Sequence, residues 1–173
     1  KDLIISNKSK FKISKDTINK FYIDKTKNRI SQFISLYGEE YYNGMFFNIN
    51  SIEHPTLKEI LYFPNSLFDS IPFEPFHGDL QFDNVIYSTD TNKFIYIDWR
   101  ESFGGITECG DLYYDLAKIY GGLLFPYTHL KNTQYNTDIL KVNNNDIEYS
   151  YYITKQISNF TKTYENWIIQ NNF

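Results

Sequence analysis

The chain has 173 residues, 19% of them aromatic, and a formal charge of -4; that is enough for one buried core but short for an enzyme that builds two lobes around a nucleotide. The acidic balance and the lack of a dense Lys/Arg block argue against backbone-driven nucleic-acid binding, which needs a positive field. A lone cysteine, Cys109, excludes an internal disulfide framework, and the absence of a long apolar run or signal-like segment points away from membranes and towards the cytoplasm.

From the N-terminus, Ile18, Phe21, Tyr22, Ile30, Phe33, Ile34 and Tyr37 recur at near-helical spacing, which predicts a helix over 17–37 with Asp16 as its N-cap. A second short helix is expected over Leu57 to Tyr62, stopped by Pro64, and Pro72 and Pro75 force an extended approach to His77. Two β-rich runs follow, Asn84-Val-Ile-Tyr87 and Phe94-Ile-Tyr-Ile-Asp98, around the polar stretch Ser88 to Lys93. This reads as a hairpin, and apolar residues on both of its faces predict that it is buried. Leu112, Leu116, Ile119, Tyr120 and Leu123 form one stripe, so a helix is expected from Asp111 to about Leu124, then a loop through Pro126 and His129. The last segment, from about Asn145 to Ile169, reads as one long helix carrying Ile147, Tyr151, Ile157, Phe160, Tyr164, Trp167 and Ile168, with an asparagine after it as C-cap. The expected fold class is α+β, mainly helical, in a single domain over 1–173.

The chemistry concentrates in His77-Gly-Asp-Leu-Gln-Phe-Asp-Asn84. Phosphoryl transfer needs a carboxylate to orient the acceptor and take its proton, and oxygen ligands for the Mg²⁺ on the phosphates. Asp79, Asn84 and Asp98 suit those roles. An aspartate five positions before an asparagine is the spacing of the kinase catalytic loop. Antiparallel pairing of the hairpin would also bring Asn84 and Asp98 to one end, about 5 Å apart. Nothing in the spacing of Glu74, Asp83 or Asp90 gives them a role, and His54 and His129 stand isolated. Cys109 has no neighbouring histidine to activate it and reads as a small buried side chain.

The motifs HGDLQFDN, FIYIDWR and GDLYYDLAK, in that order, resemble the aminoglycoside phosphotransferase and choline kinase superfamily. The resemblance covers roughly residues 17 to 170 and corresponds to the kinase-like C-terminal lobe. It implies that Asp79 is the catalytic base, that Asn84 and Asp98 hold Mg²⁺ on the hairpin, and that His77 and Asp115 brace the loop. Arg100 stands where a commoner member has an acidic or small residue, and a phosphate contact and a structural ion pair are both open to it. The implied function is a kinase that moves the γ-phosphoryl group of ATP or GTP to a small alcohol, amine or sugar. The acidic residues Asp98, Glu101, Glu108, Asp111 and Asp115, interleaved with aromatics, would suit a cationic acceptor, although bracing or a solvated face accounts for most of them.

The nucleotide lobe is not evident. Before His77 the only glycines are Gly38 and Gly44, so no glycine-rich loop cradles phosphates, and Lys12 reads as a surface lysine rather than a phosphate-gripping one. With Lys1 first and Met45 the only methionine, the expectation is a catalytic lobe whose partner lobe lies elsewhere, so that this chain alone transfers little. The rival reading is a catalytically silent, kinase-like binding module. A two-metal phosphoesterase lacks ligands, because only three histidines are present and two lie far from the motif.

Overall fold

A computed structural model describes residues 10–44, 48–62, 70–125, 139–143, 146–150 and 153–173. The fold is α+β, with helices and three small sheets among the described residues. The chain divides into two compact units: Lys1–Phe21, Asp69–Lys131 and Thr154–Phe173 form one, and Tyr22–Phe68 with Asn132–Ile153 form the other. No helix among the described residues is long and apolar enough to cross a membrane.

Three helical stretches run through the first predicted helix: α1 (Lys15–Ile18), a π-helical turn over Asn19–Asp24, and α2 (Lys25–Tyr37). The N-cap is Ser14 rather than Asp16: its Oγ accepts the Thr17 amide at 3.1 Å, and Asp16 lies in the first turn. Position decides this, because a cap must stand outside the helix with an extended backbone, and Ser14 has ψ 156°.

The second unit holds α2, α3 (Glu39–Asn43), α4 (Leu57–Ile60) and one sheet. Thr56 and Glu59 close α4 with a reciprocal capping box; Pro64 lies outside the described residues. The sheet runs β2 (Ile52–Glu53), β1 (Asn48–Ile49), β8 (Asp146–Ser150), β7 (Ile139–Asn143). Here the long C-terminal helix is corrected. Residues 146–150 are a strand, paired antiparallel to β7 with Val142 opposite Ile147, and parallel to β1. Ile147 is half-buried between exposed Asp146 and Glu148, a period of two that suits a strand with partners on both sides. Tyr151, Pro126 and His129 lie outside the described residues.

The first unit holds the motifs. The extended approach to His77 is present as β3 (Pro72–Phe73), which pairs antiparallel with β6 (Gly110–Asp111). After a 3-10 turn at Phe82–Asn84 come β4 (Val85–Ser88) and β5 (Lys93–Tyr96), with Val85 opposite Tyr96 and Ser88 opposite Lys93. The predicted hairpin therefore forms, but it is not buried: Ile86, Tyr87, Phe94 and Ile95 are 48%, 50%, 62% and 49% exposed. A two-stranded ribbon supplies no layer of its own to cover either face, so apolar residues on both faces do not by themselves imply burial.

Helix α5 (Leu112–Leu124) matches its predicted span and starts at Asp111, whose Oδ1 accepts the Tyr113 amide at 3.1 Å. Helix α6 (Lys155–Gln170) opens on Thr154, whose Oγ1 accepts the Ile157 amide, and closes on Asn171, whose Nδ2 donates to the Trp167 carbonyl at 2.7 Å. Tyr164 ties α6 to α5 by donating its hydroxyl to the Leu116 carbonyl at 2.8 Å, and burial pushes that phenol up to about 12. The core of this unit is aromatic: Phe103 is wholly buried, with its ring stacked 4.1 Å from Phe21 and edge-on to Phe76 at 5.4 Å. Cys109 is buried as expected.

Candidate active site

Gly78 sits at φ 78°, and a Cβ there would lie 2.5 Å from the Arg100 Cβ and 2.8 Å from the Phe76 ring. Only glycine allows the chain to turn this close to two neighbours, and the turn aims consecutive amides at one acceptor. That acceptor is Asp115, one turn into α5: Oδ2 takes the His77 amide at 2.9 Å and Oδ1 takes the Gly78 amide at 2.8 Å. Asp115 is buried, and its desolvation raises the carboxyl above the ordinary carboxylate range against the pull of the two amides. The bracing role expected of Asp115 thus has a defined geometry.

His77 is buried with it, its ring stacked on Trp99 at 4.7 Å. The Asp79 amide donates to His77 Nδ1 at 3.3 Å, which leaves the ring proton on Nε2, a buried atom without a hydrogen-bond partner among the described residues. The hydrogen bond of the His77 ring is thus to the backbone of the loop. The Asp-Trp-Arg segment is fastened to the same loop: the Arg100 amide donates to the His77 carbonyl at 2.8 Å, and Arg100 Nε donates to the Gly78 carbonyl at 3.0 Å. Its guanidinium lies 5.5 Å from the Phe21 ring centre and 6.0 Å from that of Tyr114. Of the two roles open to Arg100, the structure is nearer the structural one, but through a carbonyl and two rings rather than an ion pair.

The loop delivers Asp79 to a place where its side chain is 29% exposed. Oδ2 is reached by Asn84 Nδ2 at 3.3 Å and Gln81 Nε2 at 3.4 Å. Oδ1 lies 2.6 Å from the Lys118 ammonium; the contact is an ion pair without hydrogen-bond geometry, and the oxygen beneath it is closed to solvent. Asn84 is 5% exposed, and its Nδ2 also donates to the Asp79 carbonyl at 2.8 Å. That orientation commits the amide nitrogen to Asp79 and turns Oδ1, the atom able to bind a cation, away from it.

Asp98 is exposed and sits at φ 56° just past the hairpin. The Ile97 amide donates to the Asn84 carbonyl at 3.0 Å, so the backbone brings Asn84 and the Asp98 segment to the same end of the ribbon. The ladder extends to Asn84 opposite Ile97, so Asp98 lies one step beyond, and no hydrogen bond joins the Asn84 and Asp98 side chains among the described residues. Among the described residues, no group of three or more His, Cys, Asp or Glu side chains is gathered to hold a metal.

Lys118 is the neighbour of Asp79 that the sequence reading missed. It stands three residues after Asp115, so helical spacing places both on one side of α5. Once Asp115 is assigned to the loop, that spacing was available as a signal. Beside it, Gln81, Phe82, Asp83, Lys118, Gly122 and Phe160 help line a cleft of about 390 Å³ between the loop, α5 and α6. Two of the five acidic residues that hinted at a cationic acceptor are structural: Asp111 caps α5 and also accepts the Ile71 amide at 3.1 Å, and Asp115 holds the loop. Lys12 is exposed, as a surface lysine should be.

Compared with family models, curated proteins and solved structures, the chain matches none.

Proposed function

We propose that this chain carries the acceptor-activating and metal-binding half of an ATP- or GTP-dependent phosphotransferase acting on a small alcohol, amine or sugar. The observation that carries the reading is the setting of Asp79. Its carboxylate is partly open to solvent and held by three side chains, on a loop tied to α5 through two buried amides. A general base must be fixed within hydrogen-bond reach of the hydroxyl it serves, and this loop provides such fixing.

In the proposed reaction the acceptor hydroxyl donates its hydrogen bond to Asp79. As the acceptor oxygen bonds to the γ-phosphorus, the bond from that phosphorus to the bridging oxygen of the nucleoside diphosphate breaks, and the hydroxyl proton passes to the Asp79 carboxylate. Mg²⁺ takes two or so protein oxygens and completes its shell with phosphate and water, so Asn84 Oδ1 and the Asp98 carboxylate suit it as a pair without a third carboxylate. When bound, the ion would neutralise charge on the phosphates. Asn84 and Asp98 would hold it, and His77, Asp115 and Arg100 keep the loop in place.

One observation favours the rival reading, a catalytically silent binding module: Lys118 already covers Asp79 Oδ1. Replacing Asp79 with Asn separates the two. In the full-length protein, with nucleotide consumption screened against amines, amino sugars and sugars, Asp79→Asn is expected to lower turnover by roughly 100-fold or more. Undiminished turnover of an identified acceptor by that variant removes Asp79 from the role of base.

A further inference from the structure

We infer that Lys118 is a phosphoryl-binding residue, which leaves Asp79 for the transferred phosphate when substrates arrive; the inference rests on Asp79 being the base. Reach comes first. A hydroxyl held by Asp79 lies about 3 Å from the carboxylate, and the phosphorus it attacks lies about 3–3.5 Å beyond that hydroxyl. The reacting phosphoryl group therefore comes within about 6 Å of the carboxylate, and the Lys118 ammonium is 2.6 Å from the same carboxylate on a flexible four-carbon stem.

Lys118 also has donors to spare. Its ammonium carries three N–H groups, and its described neighbours are the Asp79 carboxylate and, 5.9 Å away, the Tyr114 ring. The side chain is 34% exposed, so it can turn without breaking the core. Asp79 does not depend on it alone, because Asn84 and Gln81 reach its other oxygen.

Electrostatics gives the move a direction. A phosphate approaching Asp79 meets a like charge, and an ammonium between the two relieves that repulsion while replacing one carboxylate partner by several phosphate oxygens. Arg100, the cation to which the sequence opened a phosphate contact, is withdrawn onto the Gly78 carbonyl and the Phe21 and Tyr114 rings. Lys118 takes the place left to it.

The test is calorimetric titration of the full chain with magnesium pyrophosphate. Lys118→Met is expected to weaken binding by roughly tenfold or more, the scale of one charge-assisted hydrogen bond. Lys118→Arg should stay within about threefold of the parent, because the charge and its donors are kept. Asp79→Asn should bind several-fold more tightly, because it removes both the competitor for Lys118 and the repelling charge. A merely structural lysine would not produce that opposite pair of shifts. Affinity left unchanged by Lys118→Met overturns the proposal, as does a parent chain that binds no pyrophosphate. Turnover of the Asp79→Asn protein is a separate readout. If it is lost while Lys118→Met binds normally, only the role of Lys118 fails; if it persists while Lys118→Met binds weakly, the assignment of the base fails and the anion site stands.

Discussion

The loop from His77 to Asn84 and the hairpin that follows it are adjacent in sequence and opposite in character. In the loop and its supports the polar groups are inside: His77, Asn84, Asp111 and Asp115 are 2%, 5%, 3% and 4% exposed. In the hairpin the apolar groups are outside, with Phe94 62% exposed. Hydrogen bonding explains the inversion. Asn84, Asp111 and Asp115 each hydrogen-bond to backbone groups, which offsets part of their desolvation, whereas the hairpin satisfies its ladder within two strands and asks for no cover. Hydropathy alone would have buried the wrong region.

The largest effect should come from Asp115→Ala, which leaves two buried amides without an acceptor. About 3 kcal/mol or more of stability is expected to go, read as a lower urea midpoint at unchanged slope. A loss under about 1 kcal/mol would mean that the loop holds without its brace, and the contrast between the two regions would fall.

A smaller effect follows from the raised carboxyl of Asp115. The folded state binds this proton more tightly than the unfolded chain does, so the stabilisation is fully present below the ordinary carboxylate range and is lost as pH rises through the raised value. Other carboxylates titrate in the same region, so the measurement is the difference in melting temperature between the parent and Asp115→Asn. That difference should move against the parent as pH rises from the ordinary carboxylate range, then level off. A difference that stays flat with pH would mean that the two amides offset the burial of the charge in full.

The smallest effect belongs to the hairpin. Phe94→Ser is expected to change stability by no more than about 0.5 kcal/mol, as for an exposed site, in the same urea experiment. A loss of several kcal/mol would place the ribbon against a layer that buries it.

Local periodicity and spacing were sufficient for part of this molecule. The stripe on Leu112, Leu116, Ile119, Tyr120 and Leu123 located α5, the two β-rich runs located the ribbon, and the five-residue spacing from Asp79 to Asn84 closed into the 2.8 Å bond between them. Such features depend on neighbours a few residues away, which a linear reading can count. The rest depended on partners distant in the chain. Whether 146–150 became helix or strand turned on β7 and β1 lying alongside it. The burial of the ribbon turned on what covers it, and the meeting of Lys118 with Asp79 turned on where α5 passes the loop. By itself the sequence singled out Asp79, Asn84 and Asp98 as residues whose chemistry would suit the proposed phosphoryl transfer. Only the tertiary structure decided which of them are free to act and which are occupied in holding the loop, because burial and charge pairing are properties of contacts between segments.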